Sequence, residues 1–117
     1  MSIEKYDIYV AIFPSKEGSA QAGKRPCVIV QSNLFNIHAQ TMLVVPLTTT
    51  KMKLFPSEFL IAPSMENGLH TTSRFLGSQI ITLDRSFLSQ KLGHLERIYA
   101  PLIKEALSIS LDIEDDF

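Results

Sequence analysis

The chain is poor in cysteine, in long apolar runs and in net charge. One cysteine, Cys27, stands among 117 residues, which excludes an intrachain disulfide and fits a reducing compartment. Cys27 lies inside an apolar run and reads as a small buried hydrophobe, not as a nucleophile. No apolar stretch approaches the roughly 18 residues of a membrane helix. The charged opening Met1-Ser2-Ile3-Glu4-Lys5 has no secretory apolar stretch, so the expectation is a cytoplasmic protein with no membrane contact. Repeats and low-complexity segments are absent. No His/Cys/Asp/Glu cluster carries metal-ligand spacing, so neither a metal nor a cofactor is expected. The net charge is only −1, but Asp112, Glu114, Asp115 and Asp116 crowd the C-terminal end, and residues 1–111 carry eleven bases against eight acids. A mildly basic body fits a nucleic-acid surface weakly, and the acidic tail 112–117 reads first as a solvating terminus.

What is present reads as one domain over residues 1–117. Hydrophobic residues make up 45% of the chain and the mean hydropathy is +0.13, enough for a packed core. Residues 6–13 read as an aromatic and β-branched strand ended by Pro14, followed by a small, polar loop over 15–23. Residues 26–31 are continuously apolar and read as a central strand. Asn33-Leu34-Phe35-Asn36 reads as a helical turn capped by Asn33. Met42–Thr48 is a third strand, in which Pro46 argues for an edge or a bulge. Residues 58–62 and 73–83 supply two or three more strands. Pro101 opens a final helix whose inner face is Leu102, Ile103, Ala106, Leu107, Ser110 and Ile113, with Lys104 and Glu105 outward. Short strands at this spacing, with one closing helix, predict a mainly β small barrel or sandwich.

The stretch richest in chemistry is Gln21-Ala22-Gly23-Lys24-Arg25-Pro26, which runs straight into Cys27-Val28-Ile29-Val30. It places a planar guanidinium at the mouth of a strand, a fork of donors matched to a phosphate. Lys51 and Lys53 form a basic loop with Met52 and Phe55, suited to a single-stranded backbone with stacked bases; a solvated loop with Phe55 in the core fits equally. His38 and His70 are imidazoles of the kind that can serve as acid or base. Arg74 either approaches the same groove or is turned away by strand alternation.

Taken in order, Gly18-Ser19 with Gln21-Ala22-Gly23, Lys24-Arg25-Pro26, Ser32–Asn36, Val45-Pro46-Leu47-Thr48-Thr49, Pro56-Ser57-Glu58-Phe59, Gly68-Leu69 and Ser78–Asp84 resemble the MazF/PemK/Kid family. These are the toxins of bacterial toxin–antitoxin pairs. The resemblance implies an SH3-like small barrel of the CcdB/MazF plasmid-toxin type, with a C-terminal helix and a homodimeric assembly. It implies a metal-free, sequence-selective endoribonuclease, an mRNA interferase. In such enzymes the 2′-hydroxyl of single-stranded RNA attacks the adjacent phosphorus, and a cognate antitoxin blocks the groove.

The resemblance also carries residue roles. Arg25 corresponds to the catalytic arginine and Thr48 to the active-site threonine. Lys24, Thr49, His70 and Gln79, together with Lys51 and Lys53 of the basic loop, are the candidate RNA contacts. The chain departs from the family pattern at Ala20, where relatives commonly carry Glu, and at Leu76 and Ser78, where some carry Arg and a carboxylate. Glu17, upstream in the same loop, is the candidate substitute base. The missing carboxylates keep a second reading open, a non-catalytic binder of RNA or antitoxin on the same fold. A CcdB-like gyrase poison is a weaker form of it, because residues 112–117 lack the Trp-Gly-Ile type of ending. A third reading has the acidic tail fold back over the groove.

Overall fold

The computed structural model describes residues 2–14, 18, 21–49 and 52–113. Among the described residues there are seven strands and one long helix: β1 (Asp7–Phe13), β2 (Gly23–Ile29), β3 (Thr41–Thr48), β4 (Glu58–Ile61), β5 (Ser73–Leu76), β6 (Ile81–Asp84), β7 (Leu88–His94) and α2 (Ala100–Leu111), with a one-turn helix α1 (Asn33–Asn36) between β2 and β3. All pairings are antiparallel. The sheet runs β4-β5-β3-β2-β1-β7, and β6 pairs with β3 off that path. The fold is the expected β-rich, barrel-like form with a C-terminal helix, although β4 and β7 stay unpaired to each other, so the ladder is not closed among the described residues. No helix is long and apolar enough to cross a membrane among the described residues.

Alternation along the strands separates two cores. Ile8, Val28, Val45, Leu47, Phe59 and Phe75 face the helix side with Ile103 and Ala106. Tyr9, Ala11, Cys27, Ile29, Met42 and Val44 face the other side with Leu83. Most of β1 and the Cys27–Ile29 half of β2 are thus buried on both faces, as a continuous apolar run requires. The rings of Phe59 and Phe75 stack with centroids 4.7 Å apart, and each such fully buried side chain contributes about 1.5–3 kcal/mol.

Several sequence expectations are corrected. β2 begins at Gly23, so Arg25 lies inside the ladder, opposite Ala11, and not at its mouth. β3 lies inside the sheet, and around Pro46 the pairing changes on both of its sides instead of the strand forming a sheet edge. Ser32, not Asn33, caps α1, accepting from the Leu34 amide, while Asn33 Oδ1 accepts from the Lys5 amide. α2 buries only Ile103 and Ala106; Leu102 and Ile113 are 40% and 64% exposed. Leu102 is rotated about one residue off the inner stripe, and Ile113 lies beyond the left-handed Asp112 (φ 53°) that ends the helix. β7 has no counterpart in the sequence reading. Its Leu-Ser-Gln-Lys-Leu-Gly-His pattern is too polar to announce a strand, and it is held by pairing with β1.

Candidate functional site

The site arises where two strands part. β2 and β3 pair from Ile29↔Val44 to Cys27↔Pro46 and no further. Pro46 is a member of that last pair and Pro26 is the next residue along β2, and neither has an N–H to extend the ladder. On its other side β3 changes partner, from β6, last paired at Val44, to β5, first paired at Leu47. The first residues of β2 therefore keep β1 as their partner while the end of β3 swings to β5. Gly23, at φ +82°, turns the incoming loop into β2.

A cleft of about 310 Å³ opens in this fork, and Lys24, Arg25, Thr48 and Thr49 line it. Arg25 is half-buried. Its Nε and Nη2 donate to the Ala22 carbonyl at 3.2 and 3.1 Å. That neutral acceptor fixes the plane of the guanidinium and leaves its charge uncompensated. No carboxylate lies within ion-pair distance of Arg25 among the described residues. A fixed fork with donors to spare, beside the Thr48 side chain at a strand end, is built to receive a phosphate.

A second, larger cleft of about 410 Å³ shares Thr48 and Thr49 with the first and is walled by Met52, Leu54 and Leu60, with Thr72 and Arg74 completing it. Arg74, opposite Thr48 on β5, is 5% exposed. Its Nη1 lies 3.5 Å from Glu58 Oε1, and its Nη2 donates to the Met52 carbonyl. This buried pair escaped the sequence reading. Leu60 faces Arg74 across β4 and β5, so Glu58 is its diagonal neighbour, a relation visible only once the register is known.

The other candidate residues are dispersed. Gln79 lies in a separate cleft with Gln21, Pro46 and Ser78, where its Oε1 accepts from the Gln21 amide at 2.8 Å. It thereby anchors the end of the loop that leads into β2. Lys53, His70 and His38 are exposed and line neither the fork nor the cleft beside it. Phe55 is 63% exposed, which decides against its place in the core. Leu76, where the resemblance implies Arg in some relatives, is 3% exposed and belongs to the interior. Glu17, Ala20, Thr50, Lys51 and the tail beyond Ile113 lie outside the described residues. Cys27 is buried, and burial pushes its thiol from 9.0 up to about 12, consistent with a packing role. No cluster of His, Cys, Asp and Glu able to hold a metal occurs among the described residues.

A bent antiparallel sheet with one closing helix and a cationic fork is the build of a small plasmid-toxin-type protein. The family model described as PemK-like, MazF-like toxin of type II toxin–antitoxin system matches residues 4–111. Endoribonuclease EndoA of Bacillus subtilis (strain 168) is 30% identical over 115 residues, spanning 98% of this chain and 99% of that one. MazF from Deinococcus radiodurans superposes with a TM-score of 0.80 at 19% identity, over 97% of this chain and 99% of that one. An endoribonuclease from a mycobacterial species, in complex with its cognate antitoxin, gives 0.77 at 24% identity with the same coverage. At those identities the two structures speak to fold alone. The chain belongs to the PemK-like, MazF-like family of type II toxins, the endoribonuclease toxins.

Proposed function

We propose that this chain acts as one domain, a cytoplasmic homodimer that cuts single-stranded RNA without a metal and is held in check by a cognate antitoxin. The observation that carries the reading is Arg25, oriented by a carbonyl, unpaired with carboxylate among the described residues, and facing the fork beside Thr48. In the reaction, the 2′-oxygen forms a bond to the adjacent phosphorus as its proton leaves to a base. The bond from phosphorus to the 5′-oxygen breaks, and that oxygen takes up a proton, giving a 2′,3′-cyclic phosphate and a 5′-hydroxyl end. Negative charge grows on the non-bridging oxygens, where the Arg25 fork stabilises it. Thr48 holds a phosphate oxygen by its hydroxyl. Lys24 and Thr49 border the same cleft and carry the neighbouring backbone, with Lys51, Lys53 and His70 as outer contacts. Gln79 acts at one remove, by fixing the end of the loop that leads into the strand carrying Arg25. Glu17 is the candidate base in that loop.

The test is a long single-stranded RNA incubated with purified protein in EDTA, beside Arg25→Ala, with the new ends mapped. Discrete cuts bearing 5′-hydroxyls, absent in the variant, are expected. Intact RNA with a folded protein would replace cleavage by binding, and equal cutting by Arg25→Ala would remove Arg25 from the chemistry.

A further inference from the structure

We propose that Lys24 is the general acid of the cleavage, the group that hands a proton to the 5′-oxygen as its bond to phosphorus breaks. The inference rests on the RNA-cleaving reading of the fork and fills the step that reading leaves without a donor. A 5′-alkoxide is a poor leaving group, and a positioned acid speeds such a departure by typically about 10²–10⁴-fold. Of the described polar residues lining the fork, Lys24, Arg25, Thr48, Thr49 and Ser73, only Lys24 can serve. A guanidinium does not give up its proton in a protein. The hydroxyls of Thr48, Thr49 and Ser73 are no more acidic than the 5′-alcohol they would protonate, and that of Ser73 already donates to the Thr71 carbonyl at 3.1 Å. An ammonium carries three donors and can part with one.

Strand geometry supports the assignment. Lys24 and Arg25 are consecutive in β2, in register with Ile12 and Ala11 of β1, so alternation sends their side chains to opposite faces of the strand. They border one cleft because β2 has no β3 neighbour beyond Cys27, and the gap left there is reached from both faces. A phosphate in the gap meets the Arg25 fork from one face and the Lys24 ammonium from the other. In an in-line displacement the entering and leaving oxygens stand on opposite sides of phosphorus. The leaving oxygen therefore needs a donor of its own, apart from the group that holds the non-bridging oxygens.

Lys24 is also unspent. It is exposed, and no carboxylate lies within ion-pair distance of it among the described residues. Lys91, by contrast, stands 3.4 Å from the buried Asp7 carboxylate. In the step, Lys24 Nζ gives one proton to the 5′-oxygen as the bond from phosphorus breaks. The neutral amine that remains takes a proton back from water, while the 2′-proton leaves to the separate base.

Lys24→Arg and Lys24→Met separate a proton donor from a charge. Cut sites are first mapped on a long RNA of mixed sequence in EDTA. One cut site is then rebuilt as two short substrates, the natural one and one with sulfur in place of the bridging 5′-oxygen. A thiolate leaves without a proton, because a thiol is far more acidic than an alcohol. At saturating substrate, both variants are expected to cut the natural RNA about 10²-fold more slowly than wild type and the sulfur RNA at close to the wild-type rate. That second rate also certifies their fold. Arg25→Ala is expected to lose rate on both substrates. Wild-type cutting of the natural RNA by Lys24→Arg would make Lys24 a phosphate contact only, and an equal loss on the two substrates would likewise overturn the acid. In either case the cleavage reading stands. A wild type that leaves the long RNA intact overturns that reading and the acid with it.

Discussion

Two arginines border adjoining clefts that meet at Thr48, and their surroundings are opposite. Arg25 is half-buried and gives two of its N–H groups to a neutral carbonyl. Arg74 is buried against the Glu58 carboxylate. A guanidinium whose charge is already matched by a buried anion has little left to offer an incoming phosphate, and its removal exposes the cost of the partner. A guanidinium oriented by a carbonyl keeps its full charge in a fixed direction, the arrangement that serves a transition state. The same side chain is thus a structural tie in one place and a reactive surface in the other, and the neighbouring acceptor makes the difference.

The contrast can be broken by substitution. The largest effect is expected from Glu58→Ala, which strands the Arg74 charge in the interior; urea unfolding should show a loss of about 3–5 kcal/mol. If stability is unchanged, Arg74 is not the structural member of the pair. Arg25→Ala should lower kcat by about 10²–10³ while leaving the urea midpoint near that of wild type. Arg25→Lys should recover only part of the rate, since an ammonium cannot reproduce the planar fork. A variant that unfolds instead would make Arg25 another tie. Thr48→Val, which keeps shape and deletes the hydroxyl, should cost about tenfold in kcat/KM, the worth of one hydrogen bond to a charged group; an unaltered value would assign Thr48 to packing.

The smallest effect concerns the strand beneath the fork. The Cys27 thiol titrates near 12 when folded and near 9.0 otherwise, so above pH 9 the unfolded chain releases a proton that the folded chain keeps. Stability should therefore fall as pH rises between those values. Thiol reagents at pH 8 should label Cys27 only after denaturation, and rapid labelling of the native protein would contradict its burial.

Much of this architecture was legible in the chain. The apolar run at Cys27–Val30 announced a central strand, Pro101 announced the helix, and the ordered motifs around Arg25 and Thr48 named two residues that the fold then brings to one cleft. Other features were not. β7 is too polar to be recognised locally and exists because β1 needs a partner on its outer side. The role of Arg74 depended on register, since a shift of one residue would have turned it to the opposite face. His70 and Lys53 looked as chemical as Lys24 in the sequence, yet only Lys24 lines the fork.

Residue types and their local order determined which strands are buried on both faces, where prolines halt a ladder and which cations were available, because these follow from side-chain chemistry and short-range backbone geometry. Tertiary structure alone decided which cation meets a buried carboxylate and which lines the fork with Thr48. That choice depends on bringing together residues far apart in the chain, Glu58 with Arg74 across β4 and β5 and Arg25 with Thr48 on one cleft.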